Sequence, residues 1–321
     1  MSRIMSISVV TLLSVMAAAN AQTYPAKPVR IIVPFPPGGG TDIVARAVGQ
    51  KLGEALGQTF VIDNRSGAGG TVGSETAAKA PADGYTLAMA TSSTHGVAPS
   101  LYTKLGYDPV RDFAAVTLVA TTPFVLVVHP SLPVKTAGDL IALAKRQPGK
   151  LNYASAGNGS SNHLTVEMFN MMAGVKMTHV PYKGSGPALV DLMAGQVDLA
   201  INDMSSLLNF VNAGKMRAVA VTSTARNPAL PNVPTVAASG LPGYDAEAWY
   251  GVIAPIKTPA PITAKLQEEI VKAMRVSDLK ERLHTQGLDA VGNSQAEFLA
   301  YMQRDIAKWA KVVKASGARI D

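Results

Sequence analysis

The chain has 321 residues, 47% of them hydrophobic and 6% aromatic, which is enough to bury one large core or two ordinary ones and suits an α/β protein. Its formal charge of +7 is scattered, with no basic run, arginine-rich segment or aromatic stacking motif. Nucleic acid is therefore not an expected partner, whereas a diffuse positive field would draw in small anions. With no cysteine at all, the chain has no disulfide, no thiolate metal site and no lipidated leader cysteine.

The first residues read as an export leader. Arg3 supplies a positive start, Ile4 to Met16 is mostly apolar, and Ala19-Asn20-Ala21 fits a small-x-small cleavage site. The apolar run is well under the ~20 residues needed to span a bilayer. We expect a leader over residues 1–21, cleavage after Ala21 and a mature chain that begins at Gln22.

Val29 to Val33 is a β-branched strand, followed by Pro34-Phe35-Pro36-Pro37-Gly38-Gly39-Gly40-Thr41-Asp42 and a helical pattern from Ile43 to Leu56. Thr41 and Asp42 are good helix-capping residues and Gly57 a good stop. Three glycines let backbone N–H groups turn inward, and a helix start adds free donors and partial positive charge. A carboxylate, phosphate or sulfate would fit such a loop, although a plain Gly/Pro turn would read the same way. Within it, Gly39 is expected to need positive φ or close ligand approach.

A second strand, Thr59 to Ile62, ends in Asp63-Asn64-Arg65-Ser66-Gly67-Ala68-Gly69-Gly70, and a small-residue helix runs from Thr71 to Ala80. A third strand, Tyr85 to Ala90, ends in the hydroxyl run Thr91-Ser92-Ser93-Thr94-His95. The same design then recurs. Strand Leu151 to Ala154 leads to Ser155–His163, a helix ends at Gly174, and strand Met177 to Val180 leads to Pro181-Tyr182-Lys183-Gly184-Ser185-Gly186-Pro187. A short helix, Leu189 to Ala194, precedes strand Val197 to Ile201 and the loop Asn202-Asp203-Met204-Ser205-Ser206. Arg65 and Lys183 hold equivalent places. Strand–helix alternation implies parallel sheets with ligands beyond the carboxyl ends of the strands, where all these polar loops fall. We read two lobes of like design. Thr136 with Asp139, and Ser294 with Glu297, form capping boxes for two further helices. Trp249 to Ile253 is a strand, and the tail from Ala260 is helical.

Catalytic signatures are missing: there is no G-x-S-x-G, no GK[ST] phosphate loop and no H-E-x-x-H. Ser92, His163 and Asp203 can be drawn as a triad, but no spacing supports one. His95 and His163 fall in candidate loops, where a histidine is more often a loop hydrogen-bonder than a site residue. The loops are rich instead in neutral donors, which suits holding a charged ligand without changing it.

The loop at 34–42, together with Asn64-Arg65-Ser66-Gly67-Ala68-Gly69-Gly70, Pro81-Ala82-Asp83-Gly84-Tyr85, Pro181-Tyr182-Lys183-Gly184 and Trp249-Tyr250-Gly251, resembles the Bug-type receptors, the substrate-binding components of tripartite tricarboxylate transporters. The resemblance covers essentially the whole mature chain. It implies an α/β, two-lobed periplasmic binding protein of type II, with the ligand cleft between lobes and two crossings, placed near Thr122 and Asp245. The first lobe would be residues 22–122 plus 246–321, and the second 123–245. The resemblance further implies a non-enzymatic, monomeric receptor without cofactor or metal, which hands a small carboxylate (di-, tricarboxylate or aromatic acid) to inner-membrane permease subunits. Carried onto this chain, the first-lobe contacts are Phe35, Gly38, Gly39, Thr41, Asp42, Ser92 and Ser93. The second-lobe contacts are Ser160, Asn162, His163, Lys183 and Asp203. An exported serine hydrolase and a ligand sensor for a membrane signalling protein are the alternatives.

Overall fold

The computed structural model describes residues 24–316 and 318–320. The expected leader and the start at Gln22 lie outside the described residues. The first part of the chain runs β1 Val29–Val33, α1 Gly40–Leu56, β2 Phe60–Asn64, α2 Thr71–Ala78 and β3 Thr86–Thr91, then a π-helical turn Ser92–Val97 into α3 Ala98–Leu101. There follow β4 Phe113–Val128, α4 Ala137–Arg146, β5 Asn152–Ser155, α5 Ser161–Ala173, β6 Thr178–Pro181, α6 Ser185–Met193, β7 Leu199–Asp203, α7 Met204–Asn212 and β8 Arg217–Val221. The chain closes with β9 Glu247–Pro255, α8 Ala260–Arg275, α9 Ser277–His284, β10 Asp289–Ala290 and α10 Gln295–Ser316.

The strands form one sheet in two halves. In the first, β1 pairs in parallel with β2 and β3, and β9 lies antiparallel between β3 and β4. In the second, β5 pairs in parallel with β6 and β7, and β4 lies antiparallel between β7 and β8. The orders β2-β1-β3-β9-β4 and β6-β5-β7-β4-β8 are therefore the same, each with an inserted strand from elsewhere in the chain. The long strand β4 belongs to both halves. Its residues Phe113 to Pro123 pair with β9, and Phe124 to Val128 pair with β7. Pro123, which cannot donate to a ladder, sits where the partners change. Thr122 is fully buried there, its hydroxyl donating to the Gly287 carbonyl at 2.7 Å.

Helices cover both faces, so β1 reads as an apolar run: Val29, Ile31, Ile32 and Val33 are all buried. Leu52 and Val48 of α1 pack into the same core as Leu87 and Met89 of β3. A second core under β5 and β7 gathers Leu189, Leu192, Ala200 and Leu207. A third holds Trp249 edge-on to Phe298 of α10.

Both capping boxes form. The Thr136 hydroxyl accepts from Asp139 N at 3.1 Å while Asp139 accepts from Thr136 N at 2.9 Å, and Ser294 and Glu297 reciprocate in the same way. Two helices start earlier than their apolar spacing suggests. The helix expected from Ile43 begins at Gly40, with Gly39 as its cap, so Thr41 and Asp42 lie in its first turn instead of capping it. The helix expected from Leu189 begins at Ser185, because Pro187 occupies the first turn, where its missing N–H has no intrahelical acceptor to lose. The hydroxyl run after β3 is not a loop. Thr91 caps it, trading hydrogen bonds with Thr94, and it winds as a π turn into α3.

Candidate functional site

Five helical starts converge on one cavity between the two halves of the sheet. From the first half come Gly39, Gly40 and Thr41 at the head of α1, and Thr91, Ser92 and Ser93 at the head of the π turn. From the second half come Ser161 and Asn162 of α5, Ser185 and Gly186 of α6, and Asp203, the residue that caps α7. Each start presents N–H groups without intrahelical partners and a share of the helix dipole. Phe35, Pro36, Ala156, Ala248 and Tyr250 complete the wall. Among the described residues that line this cavity there is no lysine, arginine or histidine. Negative charge placed here would meet oriented dipoles and hydroxyls, the arrangement that binds anions at helix N-termini, together with one carboxyl group, that of Asp203.

The halves touch around this cavity. Ser161 N donates to the Ser93 hydroxyl at 2.8 Å, and the two hydroxyls lie 3.0 Å apart. A Cβ on Gly184 would lie 2.8 Å from Pro36 Cδ, and one on Gly69 would lie 2.7 Å from Asn158 O. Only glycine allows these approaches. The closest meeting is at Gly40, where a Cβ would fall 2.3 Å from Tyr250 Oη, 2.5 Å from Ser205 Oγ and 2.6 Å from Asp203 Oδ2. The cavity volume is about 30 Å3, room for two or three waters at ~10–15 Å3 each. A second, wider cavity of about 680 Å3 adjoins it and shares Phe35 and Ala156 as walls. This outer space is lined by the Ser66–Gly70 turn, Tyr102, Asn158, Tyr182, Lys183 and Ile320.

Of the residues expected to form the site, the structure brings Phe35, Gly39, Thr41, Ser92, Ser93, Asn162 and Asp203 to the inner cavity. Gly38 and Asp42 stand just behind it. Gly38 has φ +87 and donates its N–H to Asp42 at 3.1 Å. The buried Asp42 carboxylate also accepts from Asn64 Nδ2 at 3.1 Å and from Arg46 Nε at 2.8 Å. Burial pushes this carboxyl up, but the Arg46, Gly38 and Asn64 hydrogen bonds outweigh it and hold the group below its usual range. Asp42 therefore fastens the glycine loop. Gly39, expected to need positive φ or close ligand approach, has φ −84 and open space around it; the positive φ falls on Gly38, and the close approach of protein atoms falls on Gly40.

Ser160 caps α5, accepting from His163 N at 3.3 Å and donating to Gly157 O at 2.8 Å, and lines neither cavity. His163 lines neither cavity. Its ring stacks on His179 at 4.0 Å, and His179 in turn lies 2.6 Å from the Ser155 hydroxyl. Burial lowers the pKa of His163. His95 is fully buried against Tyr107 and Phe113, and burial pushes its pKa down to about 3. Ser92 and Asp203 both line the inner cavity, and His163 is not among its lining residues. Lys183 lies at the outer cavity, whereas its counterpart Arg65 is bound to Asp63 at 3.0 Å.

Sequence reasoning missed Tyr250, Gly40 as a point of contact, and Ser161, Ser185 and Gly186 as lining. The last three sit inside loops that were singled out, and their signal was position at a helix start. Tyr250 lies in the Trp-Tyr-Gly motif but reads as a plain strand residue. Its buried hydroxyl interacts with Ser205 and Asp203, and burial, then the Asp203 charge, raise its pKa well above the usual value. Burial likewise pushes the Asp203 carboxyl up, against hydrogen bonds from Ser206, Ser205 and Asn162 that favour the ionised form.

The comparisons agree with this architecture. The chain is 39% identical over 305 residues to BugT of Bordetella pertussis (strain Tohama I), covering 95% of this chain and 94% of the relative. An R. palustris protein solved with adipate superposes with a TM-score of 0.90 at 39% identity, over 92% of this chain and all of that one. MatC from Rhodopseudomonas palustris, solved with bound malate, gives 0.87 at 35% identity, over 90% of this chain and all of that one. Residues 44–318 match the family described as the tripartite tricarboxylate transporter family receptor. The shared strand order, the cleft between two lobes and these matches lead to one conclusion: the chain belongs to the tripartite tricarboxylate transporter receptors, a family of α/β, type II periplasmic solute-binding proteins.

Proposed function

We propose that this protein captures a small carboxylate between its lobes in the periplasm and delivers it to the membrane subunits of a tripartite tricarboxylate-type transporter. The observation that carries the reading is the convergence of five helical starts, two from one half and three from the other, on a hydroxyl-lined cavity with no cationic lining residue. The carboxylate head takes the inner cavity and the rest of the ligand extends past Phe35 into the outer one. A carboxylate is supported further by the adipate and malate found in two structural relatives. The lobes in this reading are residues 22–122 plus 246–321, and 123–245, released from a leader at 1–21. The change of partners along β4 at Pro123 and the start of β9 at Glu247 support those crossings.

The test is a thermal-shift screen of refolded protein against adipate, malate, succinate, citrate and benzoate, each beside its methyl ester. Ligand at ~1,000 times Kd adds about 4 kcal/mol to the native state, and for a chain of this length each kcal/mol moves Tm by about 2 °C. At least one acid should raise Tm by several degrees while its ester leaves it unmoved. An ester that shifts Tm as far as its acid would refute the dipole-lined anion site.

A further inference from the structure

The inner cavity contains a carboxyl group of the protein's own. Asp203 ends β7 and caps α7; it is 6% exposed and lines the cavity. Its Oδ2 accepts from Ser205 Oγ at 3.1 Å and stands 2.6 Å from where a Cβ on Gly40 would be, against the first turn of α1. A ligand carboxylate drawn to that same turn must share this space with Asp203. Two ionised carboxylates in a buried site repel strongly, and such pairs relieve the repulsion by keeping one proton between them.

No neighbouring charge offers another remedy. From α1 the ionisable groups are Asp42, Arg46, Lys51 and Glu54; the half-exposed Arg46 guanidinium is bound to Asp42 at 2.8 Å and Lys51 to Glu54 at 2.9 Å, while Lys183, on the loop before α6, lines the outer cavity and not the inner one. From β9 they are Tyr250, a neutral hydroxyl, and Glu247, which interacts with Asp245 and Lys308. From α5 they are His163, stacked on His179, and Glu167; from α6 there is Asp191, which accepts from Tyr182 Oη at 2.7 Å. β4 and α7 carry no charged side chain.

We propose that Asp203 is the protonatable partner of the ligand's carboxylate, so that the closed receptor holds the two groups with one shared proton and capture takes up one proton from solvent. Before closure, water reaches Asp203 and the group is ionised. On closure, a solvent proton bonds to an Asp203 carboxylate oxygen, which donates it as a hydrogen bond to the ligand's ionised carboxylate; no other bond changes. The upward pKa shift that burial gives Asp203 in the closed form is consistent with this. Release is then favoured wherever the proton is lost. The proposal rests on the carboxylate-receptor reading above and adds to it the protonation state in which the ligand is held.

The experiment is calorimetric titration with acetate, succinate, adipate, malate and benzoate between pH 6 and 8.5, in HEPES and in Tris, whose ionisation enthalpies differ. Kd of the tightest binder should rise about tenfold per pH unit, and the buffer dependence of the heat should report uptake of about one proton per ligand. Asp203→Asn, whose amide donates without titrating, should bind with a flat pH profile and no uptake. A wild-type Kd that is constant over this range with no uptake would overturn the proposal and leave the receptor reading standing, with an ionised Asp203 accepting from a donor on the ligand. An Asp203→Asn variant that keeps the wild-type slope would overturn it too, since the proton would then sit elsewhere. Absence of binding by every acid at every pH would bring down both readings.

Discussion

Replacing Gly40 by alanine adds one methyl group at the tightest point between the halves of the sheet. The new Cβ would lie 2.5 Å from Ser205 Oγ and 2.6 Å from Asp203 Oδ2, both in the second half, and 2.3 Å from Tyr250 Oη, in the first. All three are far inside van der Waals contact. Tyr250 shares its half with Gly40, so that part of the strain is present whether the cleft is open or closed. The Ser205 and Asp203 contacts cross between the halves, so we expect them to form only on closure. Overpacking by a methyl costs about 1–3 kcal/mol, and whatever falls on the closed state alone is subtracted from ligand affinity. We expect a loss of about 5- to 150-fold, measured by calorimetry with the acid that wild type binds most tightly. Tm without ligand should fall only by the Tyr250 share. Gly138→Ala is the control: it stands in the first turn of α4, lines neither cavity, and its Cβ would meet only ordinary contacts at 3.6 Å, so it should bind as wild type does. A Gly40→Ala protein that binds within twofold of wild type would refute the idea that closure brings Asp203 and Ser205 onto α1.

Two further outcomes follow from contacts away from that point. Ser93→Ala removes the acceptor for Ser161 N and the neighbouring hydroxyl at 3.0 Å. At about 1 kcal/mol for a neutral hydrogen bond, affinity should drop roughly five-fold with little change in Tm, and an unchanged Kd would mean that this contact does not help hold the cleft shut. Asp305, buried beneath the π turn, accepts from Trp249 Nε1 at 2.7 Å, and burial pushes its carboxyl up to about 6 against that bond and Lys308. The folded state thus holds this proton more tightly than the unfolded chain, whose Asp titrates near ~3.9. The stability it contributes is full below pH ~4, is lost as pH rises through 6, and is flat above. Urea melts of wild type and Asp305→Asn between pH 4 and 7 should diverge by on the order of 2–3 kcal/mol, with the variant relatively more stable at pH 7; parallel curves would show that Asp305 does not titrate in this way.

Much of the local order could be read from residues alone, because it depends on near neighbours in the chain. The β-branched run at β1, the capping boxes at Thr136 and Ser294, and glycine stops such as Gly57 and Gly174 are decided within one or two turns of backbone. Repetition of strand, polar loop and helix likewise announced two units of one design, and the strand orders of the two halves match. What the chain could not display locally is which loop faces which. Ser160 and His163 belong to the right segment, but the first helical turn of α5 sends Ser161 and Asn162 into the cavity and turns the His163 ring toward His179. Periodicity gives the helix; its rotation is set by packing on β7. The meeting of Gly40, Ser205, Asp203 and Tyr250 is more remote still. Its members sit on four separate elements and touch only because the long strand β4 belongs to both halves and brings them face to face. Local propensity determined that helices follow these strands, though not their first residues, and the closing of one half of the sheet on the other decided that five helical beginnings share a single cavity, since only burial between lobes makes their dipoles and one aspartate act at the same point.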